Sequence, residues 1–284
     1  MIQNSILAIF PFKETGTVQG VENIPGYYSK RSGLNSHFRI FFLLAGLYSH
    51  CELKMGKSWL PLEANPEILT AYCRTLGMSE NVEFHDVLGV ESWALEMVPS
   101  PVKAVLLLYP ISEKSEVERR STVTFPESPM FFMKQTIGNA CGTIAVLHTL
   151  ANLYCNKSIS LDPSCYILRM LDATWGMDAS GRGLWLESDP EIEKAHVETE
   201  SEGQTAAPSQ GQADVDTHFV AFVLGEDGKT ILELDGRREG PVVRGMCSDD
   251  VDFGEKVLGV IRSVYMAANP EEIRFSILAL AKSA

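Results

Sequence analysis

The sequence predicts one α/β (α+β) domain in which a largely antiparallel sheet is flanked by helices. Three features predict it: an aliphatic run at 102–109, a hairpin pattern at 217–235 and a long apolar stretch after Cys141. The first two are short runs of strand-forming residues bounded by turn residues, and the third is long enough for a buried helix. With 284 residues, 45% of them hydrophobic, the chain can bury the core of one large domain or two small ones.

The first elements are one helix and two strands. Asn65 and Pro66 are typical of a helix cap and a first helical position, so we expect a helix over 67–76. Residues 82–87 favour a short strand. The run 102–109 is rich in aliphatic residues and ends before Pro110, which indicates a buried strand.

The central part of the chain predicts a buried helix followed by a polar segment. Residues 143–154 are nearly all apolar, and Asn139 is a favoured N-cap type, so Cys141 falls on the first turn. A second helix is expected near 165–174. Residues 187–216 are rich in Glu, Ser, Gly and Gln, which predicts a mobile loop with a solvated His196.

A hairpin and two further elements complete the predicted domain. Two apolar runs flank the turn residues 225–228, and a turn centred between 226 and 227 places Asp235 opposite His218. A slip of one residue would move one of the two side chains to the other face. Beyond the hairpin, we expect a helix over 250–266, a break at 269–270 and a last strand over 275–281.

Cys141 is the candidate nucleophile. At a helix N-terminus, unpaired N–H groups and the helix dipole favour the thiolate by about 1 kcal/mol, so a basic partner is still needed. His218 beside Asp235 supplies a general base and the carboxylate that orients it. Gln135 is expected to bind the oxyanion with its side-chain amide, together with the backbone N–H of Cys141.

Other residues compete for these roles. His148 lies about 10 Å from Cys141 along the same helix, so we expect it to be a packed core histidine. Glu233, two residues before Asp235, would replace it if the hairpin register differed. Five cysteines are interpreted as reduced thiols or small core residues: Cys51, Cys73, Cys155, Cys165 and Cys247.

The motifs around these residues resemble the ubiquitin C-terminal hydrolase family of cysteine deubiquitinases (peptidase family C12), closest to its short single-domain members. Residues 135–143 resemble the active-site signature of that family, and 218–219 and 233–237 resemble its histidine and aspartate blocks. Residues 59–67 resemble the opening of the short members, and 202–205 resemble part of their crossover loop. The resemblance covers roughly residues 55–284.

This resemblance implies a papain-like core with a knotted backbone, a rare topology. It also implies hydrolysis of thioester, ester, amide or peptide bonds at the C-terminal glycine of ubiquitin, with small or unstructured leaving groups and no cofactor. Positions that touch ubiquitin in family members match Pro61, Glu63, Ala64 and Asp86. Glu63 and Glu67 also flank a helix start, where acidic residues often serve only the helix dipole.

The charge of the chain restricts its partners. The net charge is −13, and because residues 1–54 contribute +2, residues 55–284 carry −15. Such an excess of negative charge argues against nucleic acid or an anionic membrane as a partner. It favours a basic partner such as the C-terminal tail of ubiquitin. The alternative is that the charge serves solubility alone. Neither the cysteines nor the six histidines show metal-ligand spacing, so no metal is expected. We expect a monomer in the cytoplasm, with the nucleus as a second location.

Residues 1–54 precede the part of the chain that resembles the family. They lack a basic start typical of a signal peptide, and the apolar run 40–48 is about half the length that spans a bilayer. Our preferred interpretation is an extension outside the domain or a misplaced start codon. The alternative is a targeting or interaction segment.

Two other functions compete with the hydrolase. A non-catalytic ubiquitin-binding scaffold of the same fold would have no use for four catalytic groups that converge on one point. A general papain-like protease would need an open cleft, which a long loop before His218 would obstruct.

Overall fold

The computed structural model describes residues 56–121, 130–203 and 216–283. The predicted extension 1–54 and residues 204–215 of the predicted crossover loop lie outside the described residues. The described strands are β1 Val82–Asp86, β2 Ala104–Pro110, β3 Thr217–Leu224, β4 Thr230–Leu234, β5 Val242–Met246 and β6 Ser276–Lys282. They form one sheet in the order β1-β6-β2-β3-β4-β5, and every neighbouring pair is antiparallel.

Helices surround this sheet in the described part of the chain. The α-helices are α1 Pro66–Thr75, α2 Trp93–Glu96, α3 Glu113–Ser121, α4 Cys141–Cys155, α5 Tyr166–Thr174, α6 Ala179–Glu187, α7 Pro190–Glu200 and α8 Phe253–Val260. A π-helix, Ile261–Met266, continues directly from α8. Within the described ranges, no helix combines the length and apolar character needed to cross a bilayer.

The two faces of the sheet pack against different helices. On β3, Phe219, Ala221 and Val223 belong to the core that contains α4. The alternating residues Val220 and Phe222 belong to the core that contains α8 and the π-helix. Since successive side chains of a strand point to opposite faces, β3 is buried on both sides and forms a rigid centre for the site.

Most of the predicted elements are confirmed. Asn65 caps α1, because its side-chain oxygen accepts hydrogen bonds from the N–H groups of Glu67 and Ile68. The strand predicted at 102–109 is β2, and the buried helix after Cys141 is α4, in which every residue from 141 to 153 is buried. The helix expected over 250–266 is α8 with the π-helix.

The segment 187–216, predicted to be a mobile loop, contains a helix. In α7, Pro190 occupies the first turn and Asp189 accepts a hydrogen bond from the N–H of Glu191 over 2.9 Å. The buried residues of α7 recur at helical spacing: Ile192, Ala195, His196 and Thr199. The Asp-Pro-Glu start and this spacing are visible in the sequence, but the polar composition of the segment conceals them.

Candidate active site

The turn before α4 is fixed by pairing with an earlier segment. Gly138 bridges to Ser58, and the N–H of Trp59 donates to the Gly138 carbonyl over 3.0 Å. Asn139 follows with φ +58, a left-handed conformation that asparagine tolerates, and its side-chain amide donates to the Trp59 carbonyl over 3.1 Å. The prediction that Asn139 caps α4 is therefore wrong. Ala140 holds the N-cap position, so no side-chain cap competes for the first N–H groups of the helix.

Cys141 is the first residue of α4, and its side chain is buried. The thiol is hydrogen-bonded to His218, and the backbone N–H groups of Phe219 and Gly142 also bind the sulfur. Burial acts to raise the pKa of the thiol, but the hydrogen bond and charge of His218 with the two N–H groups bring the pKa of Cys141 below its ordinary value. At Cys73, by contrast, burial raises the pKa of the thiol.

His218, near the start of β3, connects Cys141 to Asp235. Its Nε2–H donates to Asp235 Oδ1 over 2.7 Å, and both side chains are buried. Burial acts to lower the pKa of His218, but the charge and hydrogen bond of Asp235, followed by those of Cys141, raise it to about 9. Burial acts to raise the pKa of Asp235, but His218 and the N–H of Arg237 lower it to about 2. Each of the three shifts therefore acts in the direction of the charged form: the thiolate of Cys141, the imidazolium of His218 and the carboxylate of Asp235.

The register of the hairpin differs from the predicted one. Ala221 pairs with Leu234, so the turn is centred between 227 and 228, and the predicted pairing of His218 with Asp235 is wrong by two residues. Asp227 accepts hydrogen bonds from two backbone N–H groups of the turn, and Gly228 has φ +67. These two features place the centre of the turn one residue later than predicted. A shift of two residues preserves the faces of both strands, so the two side chains still meet.

Glu233, the alternative to Asp235, has other partners. Its fully buried carboxylate accepts from Arg238 Nε over 2.8 Å and from Arg244 Nε over 2.6 Å. The structure therefore assigns the histidine contact to Asp235 and places Glu233 in a separate cluster of charges.

Gln135 lies close to the residue that follows Asp235, because its backbone N–H donates to the Gly236 carbonyl over 2.9 Å. One N–H of its side-chain amide donates to the Ile137 carbonyl over 3.1 Å. A primary amide has two N–H bonds, and over the described ranges the second has no protein partner. Gln135 thus retains a donor that is available to a bound molecule.

The other histidines differ in how well their sequence-based predictions hold. His148 is confirmed as a packed core residue: it is buried, stacks on Phe132, and its Nε2 accepts from the N–H of Met133 over 3.0 Å. The prediction of a solvated His196 is wrong, since α7 buries it fully and it lies over the ring of Trp59. Burial lowers the pKa of His148 to about 4, and burial likewise lowers the pKa of His196 to about 4.

The four residues predicted to touch ubiquitin lie at the surface on either side of α1. Pro61, Glu63 and Ala64 are partly exposed in the segment that leads into α1. Asp86 is exposed at the end of β1 and lines a cavity of about 650 Å³ between β1 and α1. Glu67, two residues into α1, lines the same cavity, so Asp86 lies near the segment that carries the other three. Their contact with ubiquitin stays a prediction.

Comparison with known proteins agrees with this geometry. The model of a family described as "Ubiquitin carboxyl-terminal hydrolase, family 1" matches residues 59–266. The chain belongs to this family. It is 38% identical to Ubiquitin carboxyl-terminal hydrolase 3 of Arabidopsis thaliana, over 81% of this chain and 97% of that protein. It is 34% identical to human Ubiquitin carboxyl-terminal hydrolase isozyme L1, over 79% of this chain and 98% of that protein.

A solved structure supports the same assignment. The catalytic domain of UCH37 from Trichinella spiralis, bound to ubiquitin vinyl methyl ester, matches with a TM-score of 0.63 and 26% identity, over 80% of this chain and 96% of that domain. This confirms a papain-like α/β fold for the present member of the ubiquitin carboxyl-terminal hydrolase family, which is a thiol-dependent hydrolase. The knotted backbone stays a prediction.

Proposed function

We propose that this protein hydrolyses bonds at the C-terminal glycine of ubiquitin, with Cys141 as nucleophile, His218 as general base and acid, Asp235 as the orienting carboxylate and Gln135 as an oxyanion donor. The hydrogen-bonded chain from Cys141 through His218 to Asp235 carries this proposal. The names of the relatives and the ubiquitin derivative bound to the Trichinella protein support ubiquitin as the substrate.

The reaction follows from the charge states of the three groups. The Cys141 thiolate attacks the glycine carbonyl, and the carbonyl oxygen becomes an oxyanion. The free N–H of Gln135 and the N–H of Cys141, which starts a helix and has no intrahelical partner, are the donors for that oxyanion. The His218 imidazolium then protonates the leaving amine or alcohol, and a thioester remains on Cys141.

Water completes the cycle. Neutral His218 takes a proton from the water molecule, the resulting hydroxide attacks the thioester carbonyl, and the Cys141 thiolate leaves. Throughout, the carboxylate of Asp235 accepts a hydrogen bond from Nε2–H of His218 and so fixes the orientation of the imidazole. In this orientation Nδ1 of His218 faces the sulfur of Cys141. The non-catalytic scaffold has no observation in its favour, because a binder needs no depressed thiol pKa.

Substrate recognition is proposed on two further grounds. Two of the four predicted contact residues, Glu63 before α1 and Asp86 in the cavity beside it, are acidic, and residues 55–284 carry −15 in net charge. Both suit a basic ligand such as the C-terminal tail of ubiquitin. We also propose that the protein acts as a cytoplasmic and nuclear monomer and releases small or unstructured leaving groups.

An activity assay tests the central assignment. Purified protein is incubated with ubiquitin carrying a fluorogenic amide on its C-terminal glycine, and with the same amide on an unrelated peptide. Wild type is expected to turn over only the ubiquitin substrate, and Cys141→Ala is expected to fold normally and turn over neither. Cleavage of ubiquitin by Cys141→Ala above the background rate would remove Cys141 from the mechanism.

A further inference from the structure

Four charged side chains, two of them buried, form a closed ring beside the carboxylate of Asp235. Arg238 donates to Glu233 Oε1 over 2.8 Å and to Glu118 Oε2 over 2.7 Å. Arg244 donates to the other oxygen of Glu233 over 2.6 Å and lies 2.7 Å from the other oxygen of Glu118. Each guanidinium therefore joins both carboxylates, and the ring has no net charge.

The ring connects elements that are distant in sequence. Glu118 belongs to α3, Glu233 to β4 and Arg244 to β5, while Arg238 lies in the turn between the two strands. Glu233 is 0% and Arg238 4% exposed. Buried charges require full compensation, so the ring fixes the position of each guanidinium closely.

Only one of the two arginines reaches the active site. Arg238 Nε lies 3.8 Å from Asp235 Oδ2, and its backbone N–H donates to the Asp235 carbonyl over 2.9 Å. Asp235 Oδ1 is already occupied by His218 and by the N–H of Arg237. Arg238 thus places a positive charge beside the second carboxylate oxygen.

We propose that Arg238 is a positioning residue for catalysis: it holds the carboxylate of Asp235 toward His218, and Arg238 itself is held by Glu233 over 2.8 Å and by the carbonyl of Arg119 over 2.7 Å. The inference rests on the proposed function, since it assigns Arg238 a role through Asp235. A purely structural role would instead lower stability without changing kcat, since Arg238 also donates to the carbonyl of Arg119 over 2.7 Å and its loss removes that bond as well.

Two matched double variants separate these possibilities. The double variants are Glu118→Gln/Arg238→Gln and Glu118→Gln/Arg244→Gln. Each removes one negative and one positive charge, so the remaining arginine forms a neutral pair with Glu233 and both variants are expected to fold. Only the first removes the cation from Asp235. We expect it to lower kcat about tenfold at unchanged KM, whereas the second keeps kcat within about threefold of wild type.

The same two variants are then made in an Asp235→Asn background. If Arg238 acts through Asp235, the difference in kcat between them disappears there, because the carboxylate that Arg238 holds is gone. Urea unfolding of all variants measures any loss of stability, and kcat is compared under conditions in which every variant is folded. If the two double variants have equal kcat while Asp235 is intact, the inference is overturned.

The result also distinguishes this inference from the proposed function. If Asp235→Asn alone leaves hydrolysis of the ubiquitin amide unchanged, the proposed role of Asp235 fails. If Asp235→Asn lowers the rate but the two ring variants behave alike, only the role of Arg238 fails.

Discussion

At the level of single residues, the charge on Cys141 depends on compensation inside the protein. Burial penalises a thiolate, and the dipole of α4 offsets only about 1 kcal/mol of that cost. His218 supplies the larger part through its hydrogen bond and its positive charge, and Asp235 keeps that positive charge on the ring. Loss of the carboxylate is therefore expected to act on the thiol indirectly, through the imidazolium.

The pH dependence of catalysis tests this coupling. Because the pKa of Cys141 is lowered and that of His218 is raised to about 9, the thiolate–imidazolium pair extends over a wider pH range than it would between free side chains. We expect kcat/KM to fall as the pH rises through about 9, where His218 loses its proton, and to fall in acid as the thiolate is protonated. In Asp235→Asn, the alkaline limb is expected at lower pH, because the charge that raises the pKa of His218 is absent.

A matched substitution serves as the control for this profile. Asp162 is an exposed aspartate on another loop, so Asp162→Asn removes the same charge and is expected to leave both limbs unchanged. An alkaline limb that stays in place in Asp235→Asn would show that Asp235 does not set the pKa of His218.

At the level of elements, α7 is connected to the active-site helix by a buried hydrogen-bonded chain. Leu60 offers only a carbonyl, so His196 Nε2–H must be the donor of the 2.8 Å bond to it. Neutral His196 then accepts at Nδ1 from the Thr143 hydroxyl over 2.8 Å, and Thr143 accepts from the Tyr72 hydroxyl, which lies 3.1 Å away. The chain therefore joins α1, α4 and α7 in one donor direction, which requires an uncharged histidine.

The free energy of unfolding is expected to report on this histidine. The pKa of His196 is about 4 in the folded protein, against about 6.5 in an unfolded chain. Between these values the unfolded state binds more protons, so stability is complete above about pH 6.5 and falls as the pH drops toward 4, by about 2–3 kcal/mol for this group. Glu200 Oε2, 3.4 Å from Nε2, moderates the loss.

Urea unfolding of wild type and His196→Gln between pH 7 and pH 4.5 measures this effect. Glutamine can keep one donor and one acceptor but does not titrate, so the variant should lose less stability on acidification. His148, whose pKa is also about 4, is present in both proteins and cancels in the comparison. Parallel losses in the two proteins would mean that His196 is not held neutral by the fold.

Local patterns account for the elements that the sequence predicts correctly, and distant partners account for the rest. The cap at Asn65, the strand β2 and the buried helix α4 follow from neighbouring residues. The burial of His196 depends on Leu60, 136 residues away, and the ring around Arg238 depends on Glu118, 120 residues away. No periodicity within a short window contains such contacts.

For the molecule as a whole, the catalytic domain is expected to be independent of residues 1–54. The matched family region, 59–266, and all six described strands lie after that segment. A chain that begins at Met55 should therefore unfold cooperatively and keep the kcat/KM of the full chain. Circular dichroism during urea unfolding and the ubiquitin amide assay measure both properties, and loss of either would make the segment part of the domain.

The net charge of the domain gives a second prediction at this scale. With −15 on residues 55–284 and a basic tail on the ligand, the affinity for ubiquitin should fall as salt is raised from about 20 to about 150 mM. The Cys141→Ala variant allows the dissociation constant to be measured by calorimetry without turnover. A constant affinity over this range would leave solubility as the only role of the acidic balance.

Mass spectrometry of the protein after reaction with an electrophilic ubiquitin tests the central claim, that Cys141 is a thiolate aimed at the C-terminal glycine of ubiquitin. The described cysteines Cys73, Cys155, Cys165 and Cys247 are internal controls in the same molecule, and burial raises the pKa of three of them, Cys73, Cys155 and Cys247. The account predicts one ubiquitin adduct, located on Cys141, and no adduct from the same electrophile on an unrelated peptide. An adduct on another cysteine, or equal labelling by the unrelated peptide, would contradict it.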